Sequence, residues 1–330
     1  MAHPVSPDLP SPLRAAMEQA LTGLVRKDLG ARAGAISQAY RSGQGSDRAI
    51  GGAADALAYA MARMPATYAA CAAVFTEAQA RAPGFTPLRL LDAGAGPGTA
   101  SWAALAAWPE IETACLADAS PPFLKLAREL SAEAEGSLGR AEFRRLDLTR
   151  APELPSADLV VSSYALAEVA EAAQPAVVEA LWSACDGMLA LIEPGTPAGF
   201  ERLRRARQAL IDAGAQILAP CPHARACPVA APDWCHFVQR LPRSRDHRLA
   251  KGAEAPFEDE KFAYLLAARP QVLAEPAAAR VLAPPRAGKP GIELRLCTPA
   301  GLERRFVARR DKAAHALARR LDWGDALDRD

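Results

Sequence analysis

The sequence predicts an α/β fold, in which a doubly wound parallel sheet follows a helical N-terminal region. Three observations support this fold class. From Leu88 onwards, short apolar runs alternate with stretches of helical length, as in a parallel sheet covered by helices on both faces. A glycine-rich turn directly follows the first of these runs. Before Leu88 the chain is instead rich in alanine and has the apolar spacing of helices.

The N-terminal region, residues 1–86, is predicted to be helical. AADALAYAMARM predicts an amphipathic helix, with PATYAACAAVFTEAQARA as its continuation after a break at Pro65. A second break is predicted between Arg41 and Gly52. The start of the chain lacks a basic segment followed by an apolar core, and no apolar run is long enough for a membrane span. We therefore expect a cytoplasmic protein with no membrane partner.

Residues 87–215 are predicted to form a Rossmann-like domain. The predicted strands are LRLLDAG, IETACLADAS, AEFRRLDL, ADLVVSSYALAEV and GMLALIEPG. The predicted helices are TASWAALAAWP, PPFLKLARELSAEAE, PAVVEALWSACD and PAGFERLRRARQALIDAG. Their alternation predicts parallel pairing of the strands.

Residues 216–330 are predicted to form a less regular region. PCPHARACPVAAPDWCHF has too many prolines and cysteines for a helix or a central strand. KFAYLLAARP predicts a strand, and IELRLCTP with AGLERRFVARR predicts a hairpin across Pro299–Gly301. A basic helix is predicted to end near Gly324, and Pro284–Pro290 is predicted to be a flexible connection.

The glycine-rich turn LLDAGAGPGTA predicts a ligand site after the first strand. Its glycines, Gly94, Gly96 and Gly98, allow backbone to pass close to a ligand in conformations that a Cβ would hinder. The spacing is G-x-G-x-G rather than the G-x-G-x-x-G of dinucleotide enzymes. Asp92, at the entry of the turn, is predicted to meet a ligand ammonium group.

Two further acids strengthen this prediction. Asp118, near the end of the second strand, is placed to accept hydrogen bonds from ribose hydroxyls. Asp147 follows the third strand, where an adenine amino group would be met. With LLDAGAGPG, LADAS and LDL in register, the segment from Leu88 to Gly195 resembles class I S-adenosylmethionine-dependent methyltransferases, which implies that cofactor.

Methyl transfer itself has weaker support in the sequence. Many amino-methylating relatives carry Asn- or Asp-Pro-Pro-aromatic after the fourth strand, where this chain has Ser162-Ser163-Tyr164-Ala165. Ser163 and Tyr164 are the catalytic candidates. Tyr164 could stack on a base, but an aromatic residue at a strand end is more often packing.

Four of the seven cysteines predict a metal site. Cys71, Cys115 and Cys185 lie among apolar neighbours, which is typical of small core residues. Cys221, Cys227 and Cys235 occur in one irregular segment together with His223 and His236, and Cys297 lies on a later strand. The chemistry of these residues leaves zinc and an iron–sulfur cluster open, because the spacing lacks a C-x2–4-C knuckle and prolines follow two of the cysteines.

One family resemblance extends from about Tyr40 to Asp325. CPHARACPVAAPDWCHF, FEDEKF, AYAMARMPATYAA and ELRLCTPAGLERRFVARRDK resemble the methyltransferase-like proteins associated with the mitochondrial small ribosomal subunit and their bacterial relatives. That resemblance implies a [4Fe-4S] cluster on Cys221, Cys227, Cys235 and Cys297, with His223 and His236 beside it. It further implies binding to small-subunit ribosomal RNA during assembly, and no DNA partner.

The charge distribution is consistent with an RNA partner. Residues 201–330 carry 24 Lys/Arg against 16 Asp/Glu, whereas residues 1–200 carry 15 against 22. The predicted phosphate contacts are Arg240, Arg243, Arg245, Arg248, Lys251, Arg304, Arg305, Arg309, Arg310 and Lys312. The acidic block Glu258–Lys261 is expected either to pair with neighbouring arginines or to be solvated.

The sequence leaves three functional hypotheses. The first is an enzyme that methylates ribosomal RNA. The second is a catalytically inactive assembly factor whose cofactor and cluster are structural or sensory. The third is a zinc-containing methyltransferase that acts on a small molecule.

Overall fold

Helices precede the sheet, as predicted. The computed structural model describes residues 4–41, 50–150 and 153–328, and its first helices are α1 (Ser11–Ala20), α2 (Arg26–Arg41) and α3 (Ala53–Arg81). The predicted break at Pro65 is wrong, because α3 continues through it. Proline removes one backbone hydrogen bond, but α3 is buried along most of its length, and that packing keeps it continuous. Most of the break predicted between Arg41 and Gly52 lies outside the described residues.

The central sheet confirms the predicted doubly wound α/β fold. Its first strands are β1 (Arg89–Ala93), β2 (Thr113–Asp118), β3 (Glu142–Arg145), β4 (Ala157–Ser163) and β5 (Cys185–Pro194), in the spatial order β3-β2-β1-β4-β5. All of these neighbours pair in parallel. Helices α4 (Thr99–Ala107), α5 (Pro121–Ser131) and α6 (Gln174–Ala184) lie between these strands in the chain, and α7 (Pro197–Asp212) follows β5.

The sheet continues beyond residue 215, the predicted domain boundary. After α7 the chain adds β6 (Gln216–Ala219), β7 (Phe237–Pro242), α8 (Arg245–Lys251) and β8 (Phe257–Ala268). Strand β8 lies between β5 and β6, antiparallel to both, and its first half pairs with β7. The segment between β6 and β7 has no regular structure, as predicted for the cysteine-rich loop.

Each face of the central sheet buries its own core. Helices α3, α4 and α5 pack on one face, over residues such as Leu90, Leu159 and Ile192. Helices α6 and α7 pack on the other, over their neighbours Leu91, Val160 and Leu191. Successive residues of a central strand point to opposite faces, so these strands are apolar throughout. The prediction that Cys71, Cys115 and Cys185 are core residues is confirmed, since all three are buried.

A second, smaller sheet follows. It contains β9 (Ala279–Val281), β10 (Arg286–Ala287), β11 (Gly291–Thr298), β12 (Gly301–Ala308) and β13 (Ala326–Leu327), with α9 (Lys312–Ala318) between the last two strands. The predicted hairpin is confirmed, because Thr298 pairs with Gly301. The basic helix is shorter than predicted and ends at Ala318, and the connection predicted to be flexible contains β10, which pairs with β11.

Across the described part of the chain, no helix combines the length and the apolarity that crossing a bilayer requires.

Candidate functional site

The glycine-rich turn lies at the switch point of the sheet, where β1 has β2 on one side and β4 on the other. In doubly wound folds, ligands bind in the crevice outside the carboxyl ends of such strands. Gly94, Gly96 and Gly98 all have positive φ angles, of 77°, 55° and 84°. A Cβ on Gly94 would lie 2.5 Å from the Cβ of Ala165, so the turn can approach the end of β4 only without a side chain.

The predicted acids Asp118 and Asp147 line one pocket with this turn. The pocket is bounded by Gly94, Gly96, Asp118, Asp147, Ser163, Tyr164 and their neighbours. Asp118 accepts hydrogen bonds from the backbone N–H groups of Gly96 (2.7 Å) and Ser120 (2.8 Å). Burial nevertheless raises the pKa of Asp118 to about 6. Asp147 accepts from the backbone and hydroxyl of Thr149, which hold its pKa below the usual range.

Asp92 has a different environment from the other two acids. Its carboxylate is fully buried beneath the turn and accepts from the backbone N–H (3.0 Å) and hydroxyl (2.7 Å) of Ser101 on α4. Burial raises the pKa of Asp92 to about 7. Its Oδ1 has no hydrogen-bond partner in the described part of the chain. Asp92 thus fixes the turn to α4, and its contact with a ligand ammonium stays a prediction.

The two catalytic candidates lie at the β4 end of the pocket. Tyr164 adopts a left-handed conformation (φ 60°), which is strained for a residue with a large side chain. Its hydroxyl donates to Oε1 of Glu260 on β8 at 2.9 Å, and the guanidinium of Arg63 lies 3.8 Å from that same carboxylate oxygen. Burial holds the pKa of Tyr164 well above its usual range. The Tyr164 hydroxyl is therefore a hydrogen-bond donor to Glu260 and is not available as a base.

Three further residues that line the pocket were not predicted from the sequence. Tyr59 on α3 packs against Phe123 at the start of α5, with ring centroids 5.0 Å apart, and Glu168 lies just after β4. Phe123 and Glu168 follow strand ends and could have been proposed from position. Tyr59 could not, because nothing in the sequence indicates that α3 closes over the crevice.

All four predicted metal-ligand cysteines line a second cavity. Cys221, Cys227 and Cys235 belong to the loop between β6 and β7, and Cys297 reaches the cavity from β11. Burial raises the pKa values of Cys221, Cys235 and Cys297, the last to about 12. The other thiols of the group raise them further, so the cavity as it stands disfavours thiolates.

Two buried arginines border this cysteine cavity. Arg280 on β9 lies opposite Cys297 and donates to the backbone oxygens of Pro220 (3.1 Å) and Gly324 (2.9 Å), and its remaining nitrogen bonds Glu77 on α3. Arg207 on α7 donates to the backbone oxygen of His223 at 2.5 Å. Both guanidinium groups bring positive charge to the cysteines.

The two predicted neighbours of the cysteines have separate environments. His223 lines the cavity, with its Nε2 3.8 Å from Sγ of Cys297. His236 stacks on Trp234 at 5.0 Å and meets Trp323 edge-on at 4.5 Å. Within the described ranges, no three His, Cys, Asp or Glu side chains converge as the ligands of a single metal ion would.

The acidic block on β8 pairs with bases, which confirms the first of its two predicted roles. Glu258 lies within 3.2 Å of Arg243, His247 and Lys251, and these partners lower its pKa far below its usual range against the effect of burial. Asp259 accepts from Arg240 at 2.7 Å. Arg240, Arg243 and Lys251, which are predicted phosphate contacts, therefore already have acidic partners, and so does Arg305, which pairs with Glu303.

The fold and the pocket together define a class. A doubly wound sheet with a glycine turn after β1 and acids after β2 and β3 is the Rossmann-like fold of class I methyltransferases.

Comparison with known proteins places the chain more narrowly. Residues 53–328 match the model of the mitochondrial small ribosomal subunit Rsm22 family, and the chain belongs to this family. It is 30% identical over 290 residues to the ribosome assembly protein METTL17, mitochondrial, of Homo sapiens, a match that covers 82% of this chain and 62% of that protein. It is 26% identical over 322 residues to the Rsm22-cox11 tandem protein 2, mitochondrial, of Schizosaccharomyces pombe, covering 82% and 42%. The chain thus spans less than two thirds of either relative.

Solved methyltransferase structures are more distant. Magnesium protoporphyrin IX methyltransferase from Synechocystis with bound SAH has a TM-score of 0.41 and 18% identity, over 62% of this chain and 83% of that one. Precorrin-6y C5,15-methyltransferase from Geobacter metallireducens has a TM-score of 0.39 and 14% identity, over 60% and 86%. These values support no functional assignment.

Proposed function

We propose that this protein is a factor for assembly of the small ribosomal subunit that binds S-adenosylmethionine, an iron–sulfur cluster and ribosomal RNA. One observation carries the proposal: four cysteines, three from a loop and one from a distant strand, line the same cavity. The chain that contains them belongs to the Rsm22 family. The human relative is named as a ribosome assembly protein. We also propose a cytoplasmic location, although both relatives are named as mitochondrial.

The pocket at the switch point fits S-adenosylmethionine. Asp118 is positioned at the end of β2 to accept from ribose hydroxyls, and Asp147 after β3 to accept from the adenine amino group. Asp92 lies fully buried beneath the turn, outside the pocket wall, and supports the turn through its bonds to Ser101. When bound, the cofactor supplies an electrophilic methyl group.

The cysteine cavity is where we place the cluster. Cys221, Cys227, Cys235 and Cys297 line it, and four cysteine thiolates are the usual ligands of a [4Fe-4S] cluster. A single zinc ion takes the same four ligands, so metal analysis separates the two. Two buried nitrogens in the cavity wall, Nε of Arg207 and Nδ1 of His223, have no hydrogen-bond partner in the part of the chain that the structure describes. The Arg207 Nε–H is a donor, and His223 Nδ1 is one in its Nδ1-protonated tautomer, so both suit cluster sulfurs.

A binding role without methyl transfer is the second candidate. The Tyr164 hydroxyl is tied to Glu260, and its raised pKa removes it as a general base at neutral pH. On this alternative, the bound cofactor stabilises the fold or makes subunit binding depend on the cofactor concentration. The protein then acts on the subunit through binding alone.

Metal analysis of anaerobically purified protein tests the cluster. We expect a brown protein with about four irons and four sulfides per chain. A colourless protein with one stoichiometric zinc would contradict the proposal.

RNA binding and methyl transfer are tested on small subunits from a strain that lacks the protein. Affinity for small-subunit RNA should fall with salt, with a log–log slope of about −0.7 per phosphate neutralised. A slope near zero argues against RNA contact. Transfer of a labelled methyl group to these subunits separates the enzyme from the binding factor.

A further inference from the structure

The two faces of the second sheet differ in what covers them. One face presents Val281, Ile292, Leu294 and Leu296 to a core that includes Ala318 of α9. The opposite face is covered at one end, where Cys297 and Arg280 are buried in the cysteine cavity. The rest of this face, defined here as the aromatic face, carries Arg286, Glu293, Arg295, Leu302, Arg304 and Phe306, which the strand register places side by side. Phe306 is 57% exposed and Leu302 is 50% exposed. The aromatic face therefore offers apolar surface on a rigid support.

The ring of Phe306 lies against the backbone of the neighbouring strand. A Cβ on Gly291 would lie 2.8 Å from Cζ of Phe306, so the ring fits there only because residue 291 is glycine. The tip of the ring is thus held beside Gly291, while the side chain as a whole is 57% exposed. An exposed aromatic ring held in place on a sheet is a surface on which a nucleic-acid base can stack.

Positive charge surrounds this ring. Arg304 pairs directly with Arg295 across β11 and β12, so two positive side chains lie side by side. Arg295 also bonds Asp233 of the cysteine loop at 2.9 Å, whereas Arg304 and Arg286 form no ion pair in the described ranges. Between Arg286 and Lys312 the chain carries eight Lys/Arg and three Asp/Glu. The surroundings of the ring thus favour a polyanion.

We propose that the aromatic face binds single-stranded RNA, with Phe306 stacking on a base while Arg304 and Arg286 contact phosphates. A duplex would not serve, because its bases are already stacked. This inference rests on the proposed RNA-binding function and specifies its substrate class. The bond from Arg295 to Asp233 places the aromatic face next to the cysteine loop, so an ordered loop would orient it.

Fluorescence anisotropy with an oligouridine of about 12 nucleotides tests the proposal on the anaerobically purified full chain. Phe306→Ala should weaken binding about tenfold without changing the salt slope, because it removes stacking but no charge. Phe306→Tyr should bind like the wild type. Arg304→Ala should reduce the slope by about 0.7, and needs no packing change since Arg304 is exposed. Leu317→Ala is the control, since Leu317 is 54% exposed on α9.

The possible failures are distinguishable. If the wild type binds the oligonucleotide and both Phe306→Ala and Arg304→Ala bind it equally well, the aromatic face is not the RNA site, although the proposed function stands. If the wild type binds no small-subunit RNA, the proposed function fails and this inference with it. If the variants keep their affinity for RNA but no longer bind proteins of the small subunit, the aromatic face binds a protein and the inference is overturned.

Discussion

The cofactor pocket and the cysteine cavity both contain buried ionisable groups, but they stabilise those groups differently. In the pocket, Asp118 accepts from the N–H groups of Gly96 and Ser120, so the backbone supplies the compensating partners. In the cavity, the pKa values of Cys235 and Cys297 are raised by burial and by the other thiols. Only the buried charges of Arg207 and Arg280 oppose these increases.

This difference has a consequence for stability. A site whose polar groups are paired by its own backbone folds without its ligand. Four thiolates in one cavity would instead repel one another unless a metal centre bound them. We therefore expect the cofactor pocket to be preformed, and the order of the cysteine loop and of strand β11 to depend on the cluster.

Removing one cysteine of the cavity should have the largest effect. Cys227→Ser should lower the iron content from about four per chain to near zero, since a cubane cluster needs its four thiolates. Loss of a metal site that joins distant segments costs several kcal/mol, so the Tm should fall by about 10 °C or more. Iron analysis and circular dichroism measure both.

The matched control is Cys71→Ala, which alters a buried core cysteine that does not line the cysteine cavity. It should keep full iron, with at most a modest decrease in Tm. An equal loss of iron in the control, or full iron in Cys227→Ser, would remove the distinction between the two regions.

Changing the cofactor pocket should affect binding more than stability. Asp118→Ala removes a charged acceptor for two hydroxyl groups, each bond being worth about 1.5–3 kcal/mol. The affinity for S-adenosylhomocysteine should fall at least tenfold in calorimetry. The Tm of the free protein should fall by only a few degrees, because losing the acceptor for the Gly96 and Ser120 N–H groups is partly offset by removing a carboxylate that burial disfavours. A large decrease in Tm with unchanged cofactor affinity would contradict the expected difference between the cofactor pocket and the cysteine cavity.

The smallest expected effect is a pH dependence of cofactor affinity. Only the ionised Asp118 offers two charged acceptor oxygens, so affinity is full above its pKa of about 6 and decreases as the pH falls through that value. Between about pH 7.5 and 5.5 the decrease should be roughly fourfold. Asp92, with a pKa of about 7, titrates nearby, so Asp118→Asn is the control and should remove most of this dependence.

The local parts of the fold and pocket were predictable from sequence. The strands from β1 to β5 are apolar runs ended by turns, and the glycine turn and Asp118 follow directly from them. Strand β7, helix α8 and the antiparallel insertion of β8 between β5 and β6 were missed, because such an insertion depends on contacts distant in sequence. For the same reason, Arg280 and Arg207 were not predicted beside the cysteines. The ligand identities remain predictions.

Hydrogen–deuterium exchange of the protein before and after anaerobic removal of iron tests the central comparison most directly. We predict that peptides from residues 220–236 and 291–308 lose protection when the iron is removed, while those from residues 88–120 keep it. Addition of S-adenosylhomocysteine should increase the protection of residues 88–120 without restoring that of residues 220–236 and 291–308. Equal loss of protection in both regions, or no loss in the cysteine loop, would contradict the account.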